Sequence, residues 1–253
     1  MDKPFTTSPL KPWLTFANSP EFSRSFETGL IGRQANAALM LKSGDSTVYS
    51  TACRDRSPKS GLDFIPLSVD YQERFSAAGM TSGAYNKRDG RPGEGEILVS
   101  RLIDRPLRPL IDSKWRHETQ LLSWVLSYDG KKSTNAMAIC AASAALYLSD
   151  VPIDKPVAGV EIGLIDDAFV VNPSNEQMAK SDLKLTVAGT ESAVLMIEGA
   201  ANFLTEEQVS ENRKGPKIIN LLELLAITLA PLRSFPRSTS HSSPSLPFPP
   251  HPR

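Results

Sequence analysis

Three arginines, Arg101, Arg105 and Arg108, follow one another at spacings of four and three in the stretch DGRPGEGEILVSRLIDRPLRPL, residues 89–110. On a helix these positions fall within about 60° of arc, on one face. A guanidinium fork matches two phosphate oxygens at once, so such a face could hold a phosphodiester backbone. The Gly- and Pro-bounded segment AYNKRDGRP just before it adds Lys87, Arg88 and Arg91, and Tyr85 beside Lys87 and Arg88 could stack on a base. From Lys87 to Arg116 eight basic residues stand against five acidic ones, in a chain whose Lys plus Arg and Asp plus Glu balance at 28 each. The same residues could equally form a surface network, with Arg101 and Arg105 pairing to Glu94, Glu96, Asp104 or Asp63. Composition does not choose between these uses.

Other chemistry is more weakly signalled. Glu94 and Glu96 could be an acid/base pair, but carboxylates at a helix start more often serve the helix dipole. Gly93-Glu94-Gly95 is not a dinucleotide-binding fingerprint, and Ser82 in GMTSG is not a nucleophile elbow. Asp182 and Lys184 are two apart in SDLKLTVAGT and would point the same way from a strand. They could hold a metal and neutralise a phosphate, or simply lie on an exposed strand face. His241 and His251 fall in the last 23 residues, leaving His117 as the one histidine of the globular part, so a His-based triad is not expected. Cys53 and Cys140 lie far apart with no CxxC spacing, which points to neither a zinc site nor a disulfide framework.

These residues need elements to position them. The 253 residues are 40% apolar, enough for one sizeable core or two small ones. No transmembrane segment is expected, because the longest apolar run, near Ile218–Ala230, is interrupted by Asn220 and Glu223. Residues 1–25, with four prolines, read as an irregular arm, and order is expected to begin near Glu27. ANAALMLKSGDSTVYSTACR reads as a hairpin turning at Gly44-Asp45, and DFIPLSVDYQERF as a strand ending near Tyr71. Apolar residues at helical spacing predict a helix from Gly93 that ends or kinks near Arg105, because Pro106 follows. QLLSWVLSY reads as a strand and STNAMAICAASAALYL as a helix capped by Ser133 or Thr134. VAGVEIGLI, AFVVN, LKLTVAGT and SAVLMIEG supply further strands. Strands in runs with helices between them predict an α+β fold with a mixed β-sheet and packed helices. Residues 210–253 diverge, and the last 23 hold seven Pro and six Ser with no acid, a composition that predicts a disordered tail.

Taken together, FETGLIGRQANAALM, DFIPLSVDYQERFSAAG, RLIDRPLRPL, ETQLLSWVLSYDG, SAALYLSDVP, VVNP and LTVAGTESAVLMIEG resemble the first ribonuclease PH-like core of the polynucleotide phosphorylases. The wording is similar to the plant chloroplast branch, and the resemblance covers about residues 26–209. It implies an enzyme family that degrades RNA from the 3' end by attack of inorganic phosphate, with magnesium as metal, single-stranded RNA as partner and a homotrimeric ring as assembly. It implies roles in RNA degradation and 3'-end processing, and a chloroplast location, with mitochondrion or cytoplasm as alternatives. The family's channel-neck loop corresponds to Tyr85, Asn86, Lys87 and Arg88, and its RNA-contacting arginines to Arg101, Arg105 and Arg108.

The family's catalytic carboxylates, lysine and phosphate site belong chiefly to the second core. That core places Asp-x-Lys directly before Val-Ala-Gly. Aligned on Val187-Ala188-Gly189, the Asp position here is Lys184 and the Lys position Thr186, so no catalytic residue is assigned. A lysine cannot ligate a metal as that aspartate would. The stretches before Glu27 and after Val209 also depart from the family pattern, as an incomplete gene model or a truncation would produce. Two other readings therefore stand beside the enzyme: an inactive RNA-binding or assembly subunit, and a non-functional truncated product.

Overall fold

In the computed structural model the described residues are 13–16, for their backbone alone, then 24–59, 61–83, 85, 90–166 and 168–204. The stretch read as an irregular arm contributes strand β1 (Trp13–Phe16) and the start of β2 (Arg24–Thr28), which pair antiparallel. Order thus begins earlier than Glu27, because pairing with the neighbouring strands fixes these segments where local propensity does not. β3 (Ala37–Ser43) and β4 (Ser46–Pro58) form the expected hairpin, with Ser43 opposite Ser46 and Gly44 at φ +60°, a conformation suited to glycine. β5 (Leu67–Glu73) lies parallel to β6 (His117–Ser127), and a parallel neighbour requires a crossover. That crossover is α1 (Glu94–Leu107), the arginine helix. The six strands run in the order β1-β2-β3-β4-β6-β5, antiparallel except for the β5–β6 pair.

The helix expected to end or kink near Arg105 passes through Pro106, ends at Leu107 and tightens into a 3-10 turn at Arg108–Leu110. Pro106 falls in the last turn and is buried, so little of the hydrogen-bond ladder lies beyond the donor it lacks. Downstream come α2 (Asn135–Leu148), β7 (Ala158–Ile165), β8 (Ala168–Val171), the single helical turn α3 (Asn175–Met178), β9 (Leu183–Gly189) and β10 (Val194–Ala201). The last four strands make an antiparallel sheet ordered β10-β9-β7-β8.

The helices are the middle layer. α2 packs on β3, β4 and β6 of the first sheet and on β7 of the second, while α1 packs on β5, α2 and β10. Twelve of the fourteen α2 residues are buried, which explains a helix apolar on every side and rich in alanine. A Cβ on Gly159 would come within 2.9 Å of Ile139 Cβ, so β7 and α2 meet too closely for any side chain there. Leu39, Leu41, Val48, Tyr71, Ile103, Leu121, Ile139 and Leu146 fill the space between α1, α2 and the first sheet. Thr134 stands at the α2 N-cap without bonding the helix, since its hydroxyl meets Tyr71 Oη at 2.7 Å. Ser133 Oγ accepts from Asn135 N–H at 3.3 Å instead, the second of the two residues expected to cap.

Candidate functional site

β5 is the open edge of its sheet, and unpaired backbone groups on an edge need cover. α1 supplies it through side chains on one flank. Glu96 Oε1 accepts from Glu73 N–H at 2.7 Å and Ser100 Oγ from Tyr71 N–H at 3.0 Å. Arg108 donates to the carbonyls of Ile65 and Leu67 at 2.9 and 3.0 Å. The same guanidinium forks onto Asp104 at 2.6 and 3.0 Å. Glu96 also accepts from Gly93 N–H at 2.6 Å, so its carboxylate fixes the helix start, as expected of an acidic group at that end.

The three sequence-predicted arginines therefore have different surroundings. Arg108 is spent on the helix and the sheet edge. Arg105 is exposed and pairs with Glu198 of β10 at 2.9 Å. Arg101 is exposed and has no partner among the described residues. Of the loop residues, Tyr85 is fully exposed, whereas Asn86, Lys87 and Arg88 lie outside the described residues. Exposed Ile97 and Leu98 continue the outer face of α1 toward its start.

Where the first turn of α1 meets the end of β5 and the start of α2, a cleft of about 560 Å³ opens. Glu73, Arg74, Arg91, Glu96, Thr134 and Lys184 are among its walls. Arg91 and Lys184 are exposed and without partners among the described residues, while Arg74 lies over the Trp124 ring at 4.3 Å. Lys184 comes from β9 and Arg91 from the segment before α1, so a site contributed by both sheets and a helix gathers positive charge. Sequence reasoning weighed Lys184 without placing it here and missed Arg74. Nothing local to either residue signals that they share a cavity with Arg91.

Beneath the cleft Tyr71 is fully buried, and its hydroxyl meets Glu73 at 2.9 Å as well as Thr134. Burial pushes the Tyr71 phenol far above its ordinary range; the Thr134 hydroxyl opposes this and the Glu73 carboxylate adds to it. The donor set does not fit a divalent cation. Both Glu96 oxygens accept backbone N–H groups, Glu73 accepts from Tyr71, and no three carboxylate, His or Cys side chains come together among the described residues. His117 lies apart, its Nδ1 at 3.0 Å from the Asp55 carbonyl and its ring against Trp115. No helix among the described residues is long and apolar enough to cross a membrane.

Comparison with known proteins fits this architecture. The pattern of the 3' exoribonuclease family, domain 1, matches residues 23–152, and that of domain 2 of the same family matches residues 155–212. The two patterns divide the span that the sequence reading kept as one core. A polyribonucleotide nucleotidyltransferase of Protochlamydia amoebophila is 56% identical over 186 residues, covering 74% of this chain and 27% of that protein. A probable chloroplastic polyribonucleotide nucleotidyltransferase 1 of Oryza sativa is 55% identical over 183 residues, covering 72% of this chain and 20% of that protein. The chain thus spans 20 to 27% of the length of these relatives. The crystal structure of rice Rrp46 superposes with a TM-score of 0.63 at 13% identity, covering 83% of this chain and 93% of that one, a likeness of fold. With domain 1 alone spanning more than half of its residues, the chain belongs to the 3' exoribonuclease family.

Proposed function

We propose that this chain is the RNA-guiding core of a phosphorolytic 3'-5' exoribonuclease of the polyribonucleotide nucleotidyltransferase type, acting in RNA degradation and 3'-end processing. One observation carries the geometric part of the reading: Arg91 and Lys184 stand exposed in one cleft, and Arg101 stands exposed on the helix whose first turn forms part of its wall, all three without partners among the described residues. Uncompensated cations bordering a cavity complement the phosphates of a single strand, and an exposed aromatic such as Tyr85 offers a base a stacking surface. Tyr85, Asn86, Lys87 and Arg88 guide the strand, with Arg101 as its leading arginine and Arg105 joining when it leaves Glu198. Arg108 belongs to the same segment and acts from behind by holding α1 on β5. Inorganic phosphate is the co-substrate. No step is assigned to magnesium, because the cleft's carboxylates are committed elsewhere. A homotrimer, which the family resemblance implies, completes the reading together with a chloroplast location, the latter supported by the identity to the rice relative.

A second reading, an RNA-binding or assembly subunit without chemistry of its own, is favoured by that same commitment of Glu73 and Glu96. One preparation separates the two. Purified chain is given labelled single-stranded RNA with and without phosphate, and nucleoside diphosphate release is followed beside an RNA-binding titration. Phosphate-dependent release supports the enzyme; binding without release supports the subunit; the absence of both release and binding removes both readings.

A further inference from the structure

A second cavity, of about 540 Å³, lies between the β3–β4 turn and the first turns of α2, and shares only Ser133 with the cleft. Among the charged residues that line it, Lys42, Asp129, Lys131 and Lys132 included, two of opposite sign are more than nine-tenths buried: Arg24, 7% exposed, and Glu161, 4% exposed. They are not paired with each other. The one partner of Arg24 among the described residues is a thiol, Cys140 Sγ, reached by Nη1 at 3.3 Å. The side chain of Glu161 is met by the Ser133 hydroxyl, 2.8 Å from Oε1. Burying an ion without a counter-charge is costly, so two such ions on the walls of one cavity call for a ligand that answers both. Lys131 adds an exposed ammonium, whereas the Asp129 carboxylate is occupied by Ser46 Oγ and the Lys131 N–H. Ser133, just before α2, and Cys140, in its second turn, hold the two buried charges.

We propose that this cavity binds a nucleoside 5'-monophosphate, with its phosphate toward Arg24 and Lys131 and the N–H edge of its base donating to Glu161. A guanidinium suits phosphate oxygens, a carboxylate suits base N–H donors, and the volume is that of a small-molecule site. A ligand that is anionic at one end and donor-bearing at the other answers both charges. The ligand class follows from this cavity alone and stands whether or not the chain degrades RNA.

The full chain is titrated by calorimetry with GMP, whose base has two adjacent donors, with ribose 5-phosphate, which lacks the base, and with guanosine, which lacks the phosphate. GMP is expected to bind more tightly than either. Lys131→Ala, an exposed position that leaves the fold intact, is expected to weaken GMP and ribose 5-phosphate by a similar factor, roughly tenfold. Glu161→Gln is expected to bring GMP down to the affinity of ribose 5-phosphate while the latter is unchanged. The proposal is overturned if millimolar GMP shows no saturable binding, if ribose 5-phosphate binds as well as GMP, or if Lys131→Ala changes nothing. Loss of GMP binding in Lys184→Ala with Lys131→Ala unaffected would assign the nucleotide to the cleft and overturn it too.

Discussion

Arg101 and Arg108 sit on one short segment, yet their surroundings give them different tasks. Arg101 projects into solvent with no partner among the described residues, whereas Arg108 uses four of its five N–H donors on Asp104, Ile65 and Leu67. Arg101→Ala is therefore expected to leave the melting temperature unchanged, weaken RNA binding and lower the salt slope of log K by about one. Arg108→Ala is expected to cost about 1–3 kcal/mol of stability, because Asp104 and two carbonyls lose their donor. Salt-dependent binding and thermal melts on both variants check the contrast; a flattened salt slope with unchanged stability in Arg108→Ala would reverse the assignment. Tyr71 makes a prediction in pH. Its folded-state pKa is raised, so its contribution is complete below the unfolded value of about 10 and is lost as pH rises toward the folded value. Stability should fall above about pH 10, and Tyr71→Phe should flatten that alkaline limb. A limb remains in the variant, since burial raises Tyr49 as well.

α2 is held between two sheets, and its spacing from β7 is set at Gly159. Any Cβ there meets Ile139, whose side chain is itself fully buried, so Gly159→Ala should destabilise the chain by about 1–3 kcal/mol. Ile139→Val in the same chain should recover part of the loss, and denaturant melts of the single and double variants test the coupling. Elements of this kind were the most legible part of the sequence. Runs of β-forming residues located β3 to β10, Gly44-Asp45 located the hairpin turn, and the alanine run located α2. What escaped was decided by tertiary contacts: β1 and the start of β2 depend on pairing with their neighbours in the sheet, and α1 outruns Pro106 because buried Leu107 and the clamp at Arg108 reward its last turn. The basic segment was legible as a segment. Its division into solvent-facing Arg101, paired Arg105 and structural Arg108 was not, because Glu198 and the β5 edge are remote in the chain and only the fold brings them to α1. The cleft escaped for the same reason, since Arg74, Arg91 and Lys184 come from three separate regions.

Two family patterns meet between residues 152 and 155, yet the apolar packing does not part there. Val157, Ala188 and Met196 from the second pattern belong to the same buried cluster as Leu41, Leu121 and Ile139 from the first. The remaining strand residues of the second sheet, Val160, Ile162, Leu164, Leu183 and Leu185 among them, form a smaller cluster of their own. The middle helices thus have one sheet on each side, and removing either sheet would bare a face of α2 on which almost every residue is apolar. A second sheet that came away would also take Glu198 from Arg105 and Glu161 from Ser133. Those losses fall on both halves at once, so the chain should unfold in a single cooperative transition. The three tryptophans, Trp13, Trp115 and Trp124, all lie in the first half, so their fluorescence follows that half, while far-ultraviolet circular dichroism follows both. Coincident midpoints by the two probes are expected across a urea titration. A circular dichroism transition that precedes the fluorescence change would mean that the second sheet melts alone, and Gly159→Ala should then widen the gap by loosening the β7–α2 contact.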